Sequence, residues 1–161
     1  MAVQNEMTFS LKSKDCAPTV TEESTTSLSF TVFGTPVPQG STRAFIPKGW
    51  KRPIITAANA KTKPWKQEIA GVAFHAWGSS FPTENAVIVD ARFYFDRPKS
   101  LKKAILLKTT KPDLDKLMRS LLDALTGVIY RDDSQVISAQ IGKQFGSPAR
   151  CEVRITVRGE R

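Results

Sequence analysis

Cysteine and histidine are nearly absent from this chain: its 161 residues include two cysteines, Cys16 and Cys151, and one histidine, His75. Three such widely spaced residues form no Cys-x-x-Cys pair and no Cys/His cluster, which argues against a zinc site. A Ser-His-Asp triad would have to use His75, and nothing around it suggests one, so it reads as an imidazole on a helix surface or core edge. Two isolated thiols fit a reducing compartment. A run of 18 apolar residues is also missing, and the N-terminus has no apolar signal core, so a cytoplasmic protein without a membrane partner is expected. Acidic residues are few beside basic ones: 15 against 24, a net charge of +9 and a pI near 9.8. Such an excess points to a polyanionic partner, nucleic acid before an acidic membrane surface.

What is present suits one domain. The length allows a single core, and 40% of the residues are hydrophobic. Residues 1–26, rich in Ser, Thr, Lys and Glu, read as a flexible N-terminal tail, and 27–161 as the folded domain. Leu28, Phe30 and Val32 alternate with Ser29 and Thr31 as in a strand. A turn-rich stretch, Gly34 to Gly40, follows. Between Ser41 and Arg52, the basic residues Arg43, Lys48, Lys51 and Arg52 interleave with Phe45 and Trp50. This segment reads either as a grip on a DNA backbone or as an ordinary exposed loop or hairpin.

Trp65, Ile69, Val72, Ala73 and Trp77 recur at helical spacing over residues 62–77, with Thr62 as N-cap and Gly78 as stop. A strand over 86–95 buries Val87, Val89, Ala91, Phe93 and Phe95 on one face. A basic connector from Arg97 to Lys111 carries Lys99, Lys102, Lys103 and Lys108, of which the first three are candidate contacts to DNA phosphates. A second helix runs from near Asp113 to near Gly127, and strands follow around Gln135–Phe145 and Glu152–Arg158. The order β-α-β-α-β-β predicts an α+β domain, with two main helices on one mixed β-sheet.

The informative run extends from Lys111 to Val136. With Asp115 at 0° on a helical wheel and about 100° per residue, Leu114, Leu117, Met118, Leu121, Leu122 and Leu125 fall between about 200° and 340°, the expected buried face. Asp115, Arg119 and Asp123 rise along one edge, near 0°, 40° and 80°. Asp113, after Pro112, suits the N-cap or the position before it, with a side chain free to turn towards Asp115. The pair Asp132-Asp133 lies beyond the helix and joins the first turn only if the chain doubles back. Convergent carboxylates in a basic protein suit Mg²⁺ and phosphodiester hydrolysis. Arg119 is placed to position a phosphate or stabilise its charge. Taken singly, these residues read more readily as a helix cap, an Asp115–Arg119 ion pair and a polar turn; taken together, the run is far more specific.

At these residues the chain resembles the RusA family of Holliday junction resolvases, found in bacteria and their phages and prophages. That family's pattern is roughly Asp-x-Asp-Asn-Leu-x-Lys, then Asp-Ala-Leu, then Asp-Asp-x-Gln-Val/Ile. It is matched by Asp113-Leu-Asp115-Lys-Leu117-Met-Arg119, by Asp123-Ala-Leu125 and by Asp132-Asp133-Ser-Gln135-Val136. A looser resemblance extends from Leu28 onwards.

The resemblance implies a RusA-like fold and a magnesium-dependent endodeoxyribonuclease acting in DNA recombination and repair. Mn²⁺ is a possible substitute. It implies metal ligation by Asp113, Asp115 and Asp133, with Asp132 sharing that role or orienting its neighbour. Lys116 replaces the usual asparagine and adds charge for DNA contact. Arg119 replaces a catalytic lysine, keeping the charge but not a readily donated proton. The implied partners are four-way junction DNA and a second copy of the chain, since two opposed nicks need two sites related by a two-fold axis. The apolar strand face and the Trp65–Trp77 helix are both open as the dimer interface. The location implied is the cytoplasm of a bacterial cell or phage-infected host. An alternative from another class is a non-cleaving junction- or DNA-binding protein of a phage replication module.

Overall fold

The computed structural model describes residues 24–40, 42–57, 59–78, 81–102 and 104–159. Among them, four strands form one mixed sheet: β1 (Ser24–Phe33), β4 (Ala86–Phe95), β5 (Val136–Phe145) and β6 (Arg150–Gly159), in the order β1-β6-β4-β5. A separate hairpin joins β2 (Thr42–Phe45) to β3 (Ile54–Ala57). Two helices complete the domain, α1 (Thr62–Trp77) and α2 (Leu114–Leu125). The α+β class expected from the sequence is what the chain adopts, with the hairpin as an addition to the expected order. Strand β1 begins at Ser24, inside the stretch assigned to the tail, whose remainder (residues 1–23, with Cys16) lies outside the described residues.

Alternation decides which face of the sheet is covered. Val87, Val89, Ala91, Phe93 and Phe95 of β4 and Cys151, Val153, Ile155 and Val157 of β6 are buried, as are Phe30 and Val32 of β1. The helices lie on this face, α1 against β1 and α2 against β5, and they touch each other. The apolar strand face is therefore consumed by the chain's own helices, and Trp65 is buried with it. Of the two apolar surfaces considered for a dimer interface, the strand face is thus covered, while the outer side of α1 stays exposed, with Phe74 52% accessible. The opposite face is polar and holds an open cleft of about 500 Å³ lined by Ser29, Thr31, Asp90, Arg92, Glu152 and Arg154, among others.

Central strand β4 pairs antiparallel with β6 and parallel with β5. The parallel pairing requires a long crossover, and α2 with its flanking loops supplies it. Both helix ends behave as the sequence suggests, with one correction. Gly78 takes the left-handed conformation (φ 66°) and stops α1, while Gly127 (φ 77°) lies just past α2. The N-cap of α1 is Lys61 rather than Thr62. Thr62 is the buried first residue of the helix, and its hydroxyl donates to the Pro38 carbonyl at 3.2 Å. That bond and a second one, from the Gln39 N–H to the Lys116 carbonyl at 2.8 Å, strap the segment after β1 across the starts of both helices. His75 is an exposed residue of α1, as read from the sequence. No helix of the described residues is long and apolar enough to cross a membrane.

Candidate active site

Helix α2 presents its carboxylates because its apolar residues are committed elsewhere. Leu117, Leu121 and Leu125 are fully buried, joined by Ser120 and Ala124, while Leu114 is 36% exposed. The buried arc is thus rotated towards Ser120 and Ala124 relative to the one drawn from leucines alone. The reason is α1: it packs along that flank, and its Lys66 ammonium bonds the Asp123 carboxylate at 2.6 Å. The expected acidic stripe is divided by this contact. Asp123 is tied to α1, whereas Asp115 and Arg119 remain exposed.

Asp113 occupies the N-cap position in extended conformation, yet its side chain makes no capping hydrogen bond. Its carboxylate instead accepts from Lys116 at 3.0 Å. The hydrogen bond and charge of Lys116, aided by the charges of Lys111 and Lys143, hold the Asp113 carboxyl below the usual carboxylate range; a small desolvation opposes them. An open cleft of about 350 Å³ adjoins it, lined by Pro38, Lys111, Pro112, Asp113 and Lys116. Asp113 and Asp115 thus stand at the first turn of a helix, outward-facing and flanked by lysines. The positive end of the helix dipole favours anions at the same place.

Asp132 and Asp133 lie at the other end of α2. The chain does double back, since the Gly127 N–H donates to the Tyr130 carbonyl at 2.7 Å and the Tyr130 hydroxyl donates to the Leu122 carbonyl at 2.9 Å. These bonds hold the acidic pair near the C-terminal end of the helix. Burial, with the nearby charges of Asp133 and Asp123, pushes the Tyr130 phenol well above its usual value. A 12-residue helix is roughly 18 Å long, so one chain does not bring this pair to Asp113 and Asp115. Accordingly, among the described residues no three carboxylate, imidazole or thiol groups stand together as a metal site. The two acids also differ. Asp132 caps a one-turn 3-10 helix (Asp133–Gln135), accepting from the Ser134 N–H at 2.9 Å; hydrogen bonding from the Ser134 side chain, then from its backbone, keeps the Asp132 carboxyl below the usual range. Gln135 closes the box, its Oε1 accepting from the Asp132 N–H at 3.0 Å while its amide donates to the Thr83 and Asn85 carbonyls. Asp133 is left exposed beside it.

Of the basic residues singled out for DNA, Lys48, Lys51 and Arg52 are exposed in the loop of the β2–β3 hairpin, with Trp50 beside them 61% exposed. Arg43 lies in β2 opposite Thr56. Lys99 and Lys102 are exposed in the connector, and Lys103 lies outside the described residues. Two cations near the site were not singled out by sequence. Lys66 is the partner of Asp123. Lys143 of β5 donates to the carbonyls of Thr110 and Pro112, at 2.9 and 2.6 Å. Lys143 had a legible signal, because it interrupts the apolar alternation of Ile141 and Phe145.

The endodeoxyribonuclease RusA family profile matches residues 34–156. The uncharacterized protein YqaN of Bacillus subtilis (strain 168) is 36% identical over 138 residues, covering 80% of this chain and 94% of that protein. The crossover junction endodeoxyribonuclease rusA of Lactococcus phage r1t is 38% identical over 64 residues, 39% of this chain and 49% of its own length. With the family match spanning β4, α2, the acidic pair and most of the sheet, the chain belongs to the RusA family of endodeoxyribonucleases, the Holliday junction resolvases.

Proposed function

We propose that the chain is a Mg²⁺-dependent enzyme that resolves four-way DNA junctions by paired, symmetric nicks, working as a homodimer in recombination and repair. The observation that carries this reading is the pair Asp113 and Asp115 at the first turn of α2. Both face solvent, neither caps the helix, and a cationic surface surrounds them. The donor set fits the metal: Mg²⁺ is commonly held by one or two carboxylates, keeping waters and substrate phosphates for its other positions. Bound there, it would supply Lewis acidity towards the scissile phosphate and activation of water. Mn²⁺ has the same taste for carboxylate oxygen.

The chain's own residues divide the remaining work. Lys116 keeps Asp113 ionised and offers positive charge to the backbone. Arg119, one turn beyond Asp115, is placed to bind the scissile phosphate. Lys48, Lys51, Arg52, Lys99 and Lys102 are exposed for phosphate contacts, and Arg43 and Lys103 belong to the same basic segments. Asp132 orients Asp133 through its cap. From the far end of α2, Asp133 reaches a centre built on Asp113 and Asp115 only if it comes from a second copy of the chain. That requirement supports the dimer.

The test is cleavage of a synthetic mobile four-way junction, with linear duplex as control, in Mg²⁺ and in EDTA. Expected are paired nicks on the junction alone, lost in EDTA while binding persists and weakens steeply with salt. Salt-sensitive binding without nicks in either Mg²⁺ or Mn²⁺ would refute the catalytic reading.

A further inference from the structure

Lys143 occupies a position where a lysine needs a reason. The register sets it opposite the buried Phe93, and it shares the helix-covered face of β5 with Ile141 and Phe145. An ammonium on an apolar face is costly unless its donors are satisfied. Here two of its donors go to the Thr110 and Pro112 carbonyls, at 2.9 and 2.6 Å. These carbonyls flank Lys111, and that of Pro112 immediately precedes Asp113. Among the described residues, the segment from Thr109 to Pro112 has no backbone–backbone hydrogen bond of its own. Its ties are the Lys143 clamp and a bond from the Lys108 ammonium to the Thr110 hydroxyl at 3.0 Å. Lys108 itself is held over the Phe95 and Phe145 rings, at 4.9 and 5.3 Å from their centres.

We infer that Lys143 is a positioning residue: by clamping the carbonyls of Thr110 and Pro112 to the edge strand, it fixes the Asp113 carboxylate beside Asp115 for metal binding. The inference rests on the proposed role of Asp113 as a metal ligand. It makes a prediction opposite to simple electrostatics. A cation near a metal site repels the metal, so its removal alone should tighten binding. Loss of a clamp that orders a ligand should weaken binding, commonly by about 10- to 100-fold.

The experiment measures Mn²⁺ binding to the purified full chain by electron paramagnetic resonance, together with the melting temperature and junction binding in EDTA. Wild type, Lys143→Met, Lys143→Arg, Asp113→Asn, Asp115→Asn and the Lys143→Met/Asp113→Asn double variant are compared. Lys143→Met is expected to weaken Mn²⁺ binding about 10-fold or more, to keep junction binding in EDTA, and to add little to the loss caused by Asp113→Asn. Lys143→Arg should recover part of the loss; should Lys143→Met not fold, Lys143→Arg carries the comparison, and wild-type affinity at a lowered melting temperature would count against the clamp. Unchanged or tighter Mn²⁺ binding by folded Lys143→Met overturns the inference. If Asp113→Asn and Asp115→Asn bind Mn²⁺ as wild type does, the failure lies in the ligand assignment, and the inference falls with it.

Discussion

At the scale of single residues, chemistry depends on what each carboxylate is already doing. Asp123 is paired with Lys66 and Asp132 caps a turn, whereas Asp115 is exposed with its charge available. Replacing Asp115 with asparagine keeps the shape and removes the charge. Asp115→Asn is expected to abolish junction cleavage and leave junction binding within a few-fold of wild type, as read by gel shift beside a nicking assay. Loss of binding in parallel with cleavage would show that Asp115 is structural. The acid side of the pH profile follows from Asp113. Its folded value is depressed, so the Lys116 interaction is present above the ordinary carboxylate range and disappears as pH falls through the lowered value. Protonation of Asp113 is thus not what limits activity near neutral pH.

At the scale of elements, α2 is both wall and platform. One side closes the core through Leu117, Leu121 and Leu125, and the other carries Asp115 and Arg119. Leu121→Ala should destabilise the protein by about 2–5 kcal/mol in denaturant unfolding, since the side chain is fully buried. A cost under about 1 kcal/mol would mean that α2 does not pack as described. The hairpin β2–β3 stands apart from the main sheet, and its exposed loop carries lysine, arginine and tryptophan where an extended arm towards DNA would need them.

At the scale of the whole molecule, one chain holds two acidic clusters at opposite ends of a helix. If a site combines Asp115 from one copy with Asp133 from another, mixing two inactive variants restores one of the two sites in each mixed dimer. In an Asp115→Asn/Asp133→Asn heterodimer, one centre carries both lesions and the other carries none. Co-refolded variants are expected to regain single-strand nicking of the junction without paired resolution, while each variant alone stays inactive. No nicking in the mixture would place both aspartates in the service of one chain, and activity of Asp133→Asn by itself would exclude Asp133 from the site. A net charge of +9 on so small a body favours a polyanionic partner.

The sequence by itself determined the strand faces, the two helices and the family. Alternation of period two and spacing of three and four are local, and they survive folding because burial rewards them. The run from Asp113 to Val136 was legible as the proposed site for the same reason: its residues are neighbours along the chain. What only tertiary structure decided were relations between distant segments. Lys66 claimed Asp123 because α1 docks on one flank of α2. The apolar face offered for dimerisation was covered by the chain's own helices. The turn after α2 returned Asp133 to the wrong end of the helix for a site within one chain, since a rigid rod of 12 residues separates its two ends. Lys143 became a neighbour of Asp113 only when β5 was laid beside β4, across a gap in sequence that no local pattern spans.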